Sequence, residues 1–147
     1  MIRLLPLLLL LPFFSGAQKG KDTIPVYLDA NLQPTQAKNA VFHGVAINQQ
    51  AAWLVYALYA DTTPVLKAYY KDRKLTQKEG PYTLYYPKNK KAKEGHYVAN
   101  NMVGVWKFWY QNGQLKDSGL VLDNHLVGLW KTWHENGKPM TAVTFKD

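Results

Sequence analysis

A repeat of 24 residues in the C-terminal half of this 147-residue chain constrains its fold more than any other feature. Three glycines begin the repeated units: Gly80, Gly104 and Gly128. Four later positions agree in the same register: Tyr82, Trp106 and Trp130; Tyr85, Trp109 and Trp133; Tyr86, Tyr110 and His134; Lys88, Asn112 and Asn136. The units are residues 80–103, 104–127 and 128–147. Such self-similarity predicts that each unit folds as the same building block.

Each unit has the composition of a β-hairpin. In the second unit, residues 105–110 are rich in the β-branched and aromatic side chains that suit a strand. The dipeptide Asn112-Gly113 favours a two-residue type I′ turn, and residues 115–122 then return to a second turn at Asp123-Asn124. The glycine that begins each unit is expected to leave room for an aromatic ring or a neighbouring backbone.

Residues 18–79 predict a short N-terminal β segment that ends in a degenerate capping repeat. Strands are expected at 26–29, 41–47, 52–59 and 65–71, with at most one helical turn near 35–39. The predicted fold is therefore all-β. It is an antiparallel meander of about ten strands, in which stacked β-hairpin repeats follow the N-terminal β segment.

Residues 1–17 predict a secretory signal peptide. The positive start Met1-Ile2-Arg3 precedes an apolar run at 4–14, and Ser15-Gly16-Ala17 places small residues before a cut at Gln18. The alternative, a transmembrane anchor, needs about 20 apolar residues. We therefore expect an exported chain that is periplasmic or associated with the outer envelope. It has no cysteine for lipid attachment.

The chain offers few groups for catalysis or metal binding. The absence of cysteine removes thiolate metal sites and cysteine nucleophiles. The four histidines have no partner at metal-ligand spacing: His43, His96, His125 and His134. Carboxylates in the repeats are not paired in register, and Ser118 has no histidine close in sequence. We expect a protein that is not an enzyme and that requires no cofactor or metal.

Positive charge is concentrated between residues 65 and 103, in a chain with 18 Lys+Arg and 10 Asp+Glu. The predicted basic patch comprises Lys71, Arg73, Lys74, Lys88, Lys90, Lys91 and Lys93. Such a patch attracts an anionic membrane surface or an acidic polysaccharide. Alternatively, these lysines protect the edges of an open sheet from aggregation. Because we expect export, nucleic acid is not an expected partner.

The patterns Gly-x-Trp-x-x-Trp-Tyr-x-Asn-Gly-x-Leu at 104–115 and Gly-x-Trp-x-x-Trp-His-Glu-Asn-Gly-Lys at 128–138 resemble the MORN repeat variant of bacterial proteins. The resemblance covers residues 80–147 and implies stacked β-hairpins used for binding. Some members of this repeat class resemble antitoxin or immunity proteins, and others resemble exported envelope proteins of Bacteroidetes-like bacteria. Residues 26–35 are similar to segments that precede the repeats in those envelope proteins.

Strand alternation divides the aromatic residues of the repeats between two faces. Trp106 is on one face, and the other face carries the predicted binding residues: Tyr85, Trp109, Trp133, Lys107 and Lys131. The lysines favour solvent, so this second face is the expected binding surface. The predicted function is binding of a protein or an envelope component through the sheet face. The alternatives are an immunity or antitoxin protein that neutralises a cognate toxin, and a membrane-surface or cell-wall adaptor that binds anionic groups.

Overall fold

The computed structural model describes residues 22–146, which form one ten-stranded antiparallel sheet. The strands lie side by side in sequence order: β1 (Thr23–Leu28), β2 (Phe42–Asn48), β3 (Trp53–Leu58), β4 (Pro64–Tyr70), β5 (Lys78–Tyr86), β6 (Lys90–Val98), β7 (Asn101–Trp109), β8 (Leu115–Leu122), β9 (His125–Trp133) and β10 (Pro139–Phe145). A 3₁₀ helix at Ala37–Asn39 follows β1. The predicted all-β meander is confirmed, and the predicted signal peptide lies outside the described residues.

No helix in the described part of the chain is both long and apolar enough to cross a membrane.

The turn within each of the last two repeats differs from the predicted type. Gly113 donates its N–H to the carbonyl of Tyr110 at 2.9 Å, and Tyr110 donates its own N–H to the carbonyl of Gln114 at 2.9 Å. This is a three-residue loop in which Gly113 supplies the positive φ of 95°, so the predicted type I′ turn at Asn112-Gly113 is wrong. Two-residue loops with both φ angles positive close the opposite ends of the strands, at Ala99-Asn100 and Asp123-Asn124.

One face of the sheet carries the hydrophobic core, and we call it the core face. Its buried side chains include Val55 and Leu66 from the N-terminal strands and Trp106 and Trp130 from the repeats. Two loops, residues 29–41 and 71–77, fold back and pack leucines against it. We call the opposite side of the sheet, where Lys107 lies, the outer face.

Two tryptophans of the core face lie against glycines of the preceding strand. Trp106 on β7 covers Gly95 on β6, and Trp130 on β9 covers Gly119 on β8. A Cβ atom at Gly119 would be 2.5 Å from the ring of Trp130, and one at Gly95 would overlap the ring of Trp106. Only glycine therefore lets these rings lie flat against the neighbouring strand. Trp106 is 0% exposed as a result.

Two of the three glycines that begin the units have a different role from the one predicted. Gly80 fits the prediction, because a Cβ atom there would lie 3.2 Å from the side chain of Tyr69. A Cβ atom at Gly104 or Gly128 would meet nothing within 4 Å, so neither residue makes room for a ring. Their φ angles are 74° and 62°, which L side chains rarely adopt. They are required by backbone conformation, and the room-making glycines are Gly95 and Gly119, which also lie 24 residues apart.

Substitution by asparagine, a residue that tolerates positive φ, should affect the two kinds of glycine differently. We expect Gly119→Asn to lower the free energy of unfolding by about 1–3 kcal/mol, the usual cost of overpacking. Gly104→Asn keeps the backbone conformation and meets open space, so its cost should be below about 1 kcal/mol. Urea unfolding followed by tryptophan fluorescence measures both costs. Equal costs would contradict the assigned roles.

Buried tyrosines on the core face predict a loss of stability at high pH. Burial raises the pKa of Tyr70 from 10.0 to about 12. It also raises the pKa of Tyr82 and of Tyr97. The unfolded chain releases these protons near the ordinary pKa, whereas the folded chain retains them. The free energy of unfolding should therefore keep its full value below pH 10.0 and decrease as the pH rises from 10.0 to about 12.

Urea unfolding at a series of pH values across this window measures the loss. The variant Tyr70→Phe is the control, because it removes one of the titrating groups and should show a shallower decline. A free energy of unfolding that stays constant across the window would contradict the prediction.

Candidate functional site

The outer face of the repeats carries exposed aliphatic side chains that form a stripe across three strands. Val105 on β7 pairs with Leu120 on β8, and Leu120 pairs with Val127 on β9. Leu129 lies on the same side of β9, two residues further along. Val105, Leu120 and Leu129 are 58%, 45% and 51% exposed. We call these four residues the apolar stripe.

Exposed lysines lie directly beside the apolar stripe. Lys107 pairs with Ser118, and Ser118 pairs with Lys131, so the three residues form one cross-strand row. We call them the lysine row. The ion pairs among the described residues involve other lysines and an arginine, so neither Lys107 nor Lys131 has a carboxylate within 4.0 Å in this part of the chain.

A shallow depression of about 320 Å³ adjoins both features. The residues that line it are Thr83, Glu94, Val105 and Lys107 and their neighbours Pro81, Tyr82 and Gly95. In the strand register, Thr83 on β5 lies opposite Glu94 on β6, and Glu94 lies opposite Lys107 on β7. The depression therefore continues the lysine row toward the N-terminal strands. The outer face thus combines an aliphatic surface, ammonium groups and a concave edge.

The structure brings the predicted binding residues together only in part. Lys107 and Lys131 are exposed on the outer face, as described above. Tyr85, Trp109 and Trp133 are half-buried near the hairpin loops at one end of the sheet. The ammonium group of Lys91 lies 5.5 Å from the ring centroid of Trp109. Val105, Leu120 and Leu129 of the apolar stripe, which the aromatic pattern did not predict as binding residues, are more exposed than these rings.

The backbone at Tyr85, Trp109 and Trp133 accepts hydrogen bonds from a ladder of tyrosines. Each hydroxyl donates to the carbonyl of a residue two strands further along the sheet. The bonds are Tyr59 to Tyr85 at 2.8 Å, Tyr86 to Trp109 at 3.2 Å and Tyr110 to Trp133 at 2.9 Å. His134 occupies the same repeat position as Tyr86 and Tyr110 but is exposed. The ladder joins consecutive hairpins at their loop end.

Asparagines join the hairpins at the opposite end. The side-chain carbonyl of Asn100 accepts the backbone N–H of Lys78 at 2.7 Å, and that of Asn124 accepts the backbone N–H of Met102 at 2.8 Å. Both asparagines are the second residue of a two-residue loop with positive φ. The repeat therefore fixes the sheet at both ends as well as at its centre.

The predicted basic patch is divided into two groups. One group lies at the end of β4 and in the loop before β5: Lys71, Arg73 and Lys74. The other lies around the β5–β6 turn: Lys88, Lys90 and Lys91. The 9 residues of β5 separate the two groups, a distance of roughly 26 Å at the rise of a strand. Lys93 belongs to neither group, because its side chain lies over aromatic rings of the core face.

The described residues contain no cluster of three or more His, Asp or Glu side chains that could hold a metal ion.

Comparison with known families identifies the repeats. The MORN repeat variant model matches residues 78–99, 102–120 and 126–147. These segments correspond to the β5–β6, β7–β8 and β9–β10 hairpins. The predicted resemblance is therefore confirmed for the three repeats, and such repeats are generally involved in binding protein or membranes. The bacterial, Bacteroidetes-like and antitoxin-like affiliations stay predictions.

No curated protein and no solved structure matches the chain.

The tyrosine ladder predicts a graded effect of removing hydroxyl groups. Tyr110→Phe deletes the donor to the carbonyl of Trp133 and should lower the free energy of unfolding by about 1 kcal/mol. His134→Phe is the matched control, because this side chain occupies the same repeat position on the exposed surface. It should change stability by less than about 0.5 kcal/mol. Equal effects in urea unfolding would show that the hydroxyl bond does not join the hairpins.

Proposed function

We propose that this chain is a non-enzymatic module that binds a protein partner through the outer face of its repeats. The observation that supports the proposal most strongly is the apolar stripe lying beside the lysine row. Contiguous apolar side chains that remain exposed on a folded protein commonly mark an interaction surface. Unpaired lysines at its border give the partner's acidic side chains a place to bind and fix the orientation of the complex.

The geometry of the sheet supports binding of a broad surface. The side chains of the lysine row and the apolar stripe come from three consecutive strands whose positions are fixed by the tryptophan, tyrosine and asparagine contacts. Because the strands are held in register, little ordering is needed when a partner binds. A preorganised surface of this kind binds more tightly than a mobile one of equal area.

The proposal includes export to the periplasm or the outer envelope. The support is the arrangement of residues 1–17, with a positive start, an apolar run and small residues before Gln18. The partner is then an envelope protein, and a cognate toxin neutralised by this chain is one form that such a partner takes.

A membrane-surface or cell-wall adaptor is the second proposed function. The specific observation that favours it is the same pair of unpaired lysines, Lys107 and Lys131, next to exposed aliphatic groups. Ammonium groups beside an apolar surface also suit an anionic bilayer, to which each lysine contributes about 1 kcal/mol. Binding to anionic vesicles that weakens with salt distinguishes this function from a protein partner.

Affinity capture from an envelope extract, with mass identification of the partner, tests the first proposal. The double variant Lys107→Glu with Lys131→Glu should weaken capture by about tenfold or more, equivalent to about 1.4 kcal/mol. The control variant Lys38→Glu with Lys138→Glu makes the same change in net charge at exposed positions outside the lysine row. It should leave capture unchanged.

Two outcomes would contradict the proposal. Equal weakening by both double variants would mean that overall charge, and not this face, governs capture. The proposal would also be contradicted if the Lys107→Glu, Lys131→Glu double variant and the Leu120→Asp variant both captured the partner fully. The contact would then lie elsewhere on the molecule.

A further inference from the structure

The last strand, β10, has an edge with which no other strand of residues 22–146 pairs. β10 pairs with β9 on one side and ends the sheet on the other. All 7 of its residues, Pro139–Phe145, are exposed. The backbone groups along this edge are therefore accessible to a further strand.

β10 carries few of the features that usually protect an edge strand. Charged side chains and interior prolines discourage pairing with another chain. β10 has no charged residue, its proline is the first residue, and a bulge between Pro139 and Thr141 leaves the remainder regular. The opposite edge strand, β1, has Pro25 in its interior, where no N–H can be donated. β10 is thus the edge better suited to pairing.

The core face beside β10 also lacks the cover that the preceding repeats have. Gly95 and Gly119 each lie under a tryptophan of the following strand. Val143 occupies the same repeat position, 24 residues after Gly119, and no strand follows β10 among residues 22–146. Val143 is 48% exposed, and Phe145 on the same side of β10 is 38% exposed. The last repeat therefore leaves apolar side chains uncovered at the end of the sheet.

A depression of about 450 Å³ lies on the core face beside β10, and we call it the edge depression. Its polar groups already have partners. The hydroxyls of Thr132 and Thr141 lie 2.6 Å apart, and the ammonium group of Lys116 lies 4.0 Å from Asp117. What remains to be covered is the apolar part of the lining, which comprises Phe108, Leu126, Trp130, Val143 and Phe145.

The charges at the two ends of β10 indicate which kind of strand fits. Lys138 precedes the strand and Lys146 follows it, and both are exposed. Neither has a carboxylate of residues 22–146 within 4.0 Å. Antiparallel pairing of β10 with the β10 strand of a second copy would bring lysines of the two chains together at both ends, which is unfavourable. Acidic residues at the two ends of an added strand would be attracted instead.

A further repeat of the same kind does not fit this edge. It would place a tryptophan ring over residue 143, as Trp130 lies over Gly119. Val143 has a side chain where the ring needs bare backbone. A second copy stacked through one of its repeats is therefore disfavoured by shape as well as by charge.

We propose that β10 binds an extended segment of a partner protein, which joins the sheet as an additional strand. Alternate side chains of this segment are apolar and fill the edge depression, and acidic residues at its ends pair with Lys138 and Lys146. Backbone hydrogen bonds provide affinity, and the apolar side chains fix the register. The site lies at the edge and on the core face, so it does not rest on the proposed function of the outer face.

The probe is the synthetic peptide Asp-Val-Thr-Val-Thr-Val-Thr-Val-Asp, titrated into the ¹⁵N-labelled protein. The backbone amide resonances of Thr141–Phe145 should shift and saturate. Those of Thr23–Leu28, at the opposite edge, should stay in place. Absence of saturable binding, or equal shifts at both edges, would overturn the proposal.

Peptides with methylated backbone nitrogens test strand pairing itself. A strand faces one neighbour through the N–H groups of alternate residues. Methylation of the valine nitrogens and methylation of the threonine nitrogens should therefore differ: one set abolishes binding, and the other leaves it intact. Equal effects of the two sets would overturn pairing with β10.

Variants of β10 test the direction of the apolar side chains. Val143→Lys places a charge on the core face and should raise the Kd of the peptide by about tenfold. Thr144→Lys is the matched control, because it adds the same charge to the next residue, which pairs with Leu129 of the outer face. It should not weaken binding. Equal weakening by both variants would contradict insertion into the edge depression.

Two further measurements test the chemistry of the occupant. The same peptide with lysine in place of both aspartates should bind about tenfold more weakly, because its ends then repel Lys138 and Lys146. Sedimentation of the protein alone should show a monomer. A dimer that Val143→Lys dissociates would mean that a second copy occupies the edge, and it would overturn the proposal.

Discussion

The contact of a tryptophan ring with a glycine on the neighbouring strand determines how the rest of this structure is arranged. Among residues 22–146 no second layer of secondary structure covers the sheet, so most of its apolar surface must be buried within one face. Trp106 on Gly95 and Trp130 on Gly119 achieve this burial, because flat rings against bare backbone exclude water without a covering element. Phe108 lies between the two tryptophans, at 6.2 Å and 6.4 Å from their ring centroids, and makes the row continuous.

This arrangement gives the two faces different chemistry. On the core face, aromatic rings are buried beneath the stems of lysine and arginine, and the cationic groups remain near the surface. On the outer face of the repeats, aliphatic and lysine side chains are exposed. The repeat therefore supplies a stable sheet from one set of alternating residues and an exposed surface, which we propose as the binding surface, from the other.

The repeat spacing was sufficient to predict the hairpins and the meander, because turn residues and strand residues recur at fixed positions in residues 80–147. The division into faces followed from strand alternation. Three features did not follow. Glycine serves either backbone conformation or close packing, and sequence alone does not distinguish Gly104 from Gly119. The tyrosine ladder joins residues on strands that are not adjacent. The basic residues all lie within residues 71–93 of the sequence, but the length of β5 separates them in space.

The central claim is that one face of the repeats is core and the other is free to bind. Hydroxyl-radical footprinting of the isolated protein, with mass spectrometry to measure oxidation at each residue, tests it directly. We expect Trp106 and Trp130 to react slowly despite the high intrinsic reactivity of indole, and Leu120 and Leu129 on the outer face to be oxidised readily. Rapid oxidation of Trp106 together with protection of Leu120 would contradict this account, because it would mean that the two faces had been exchanged.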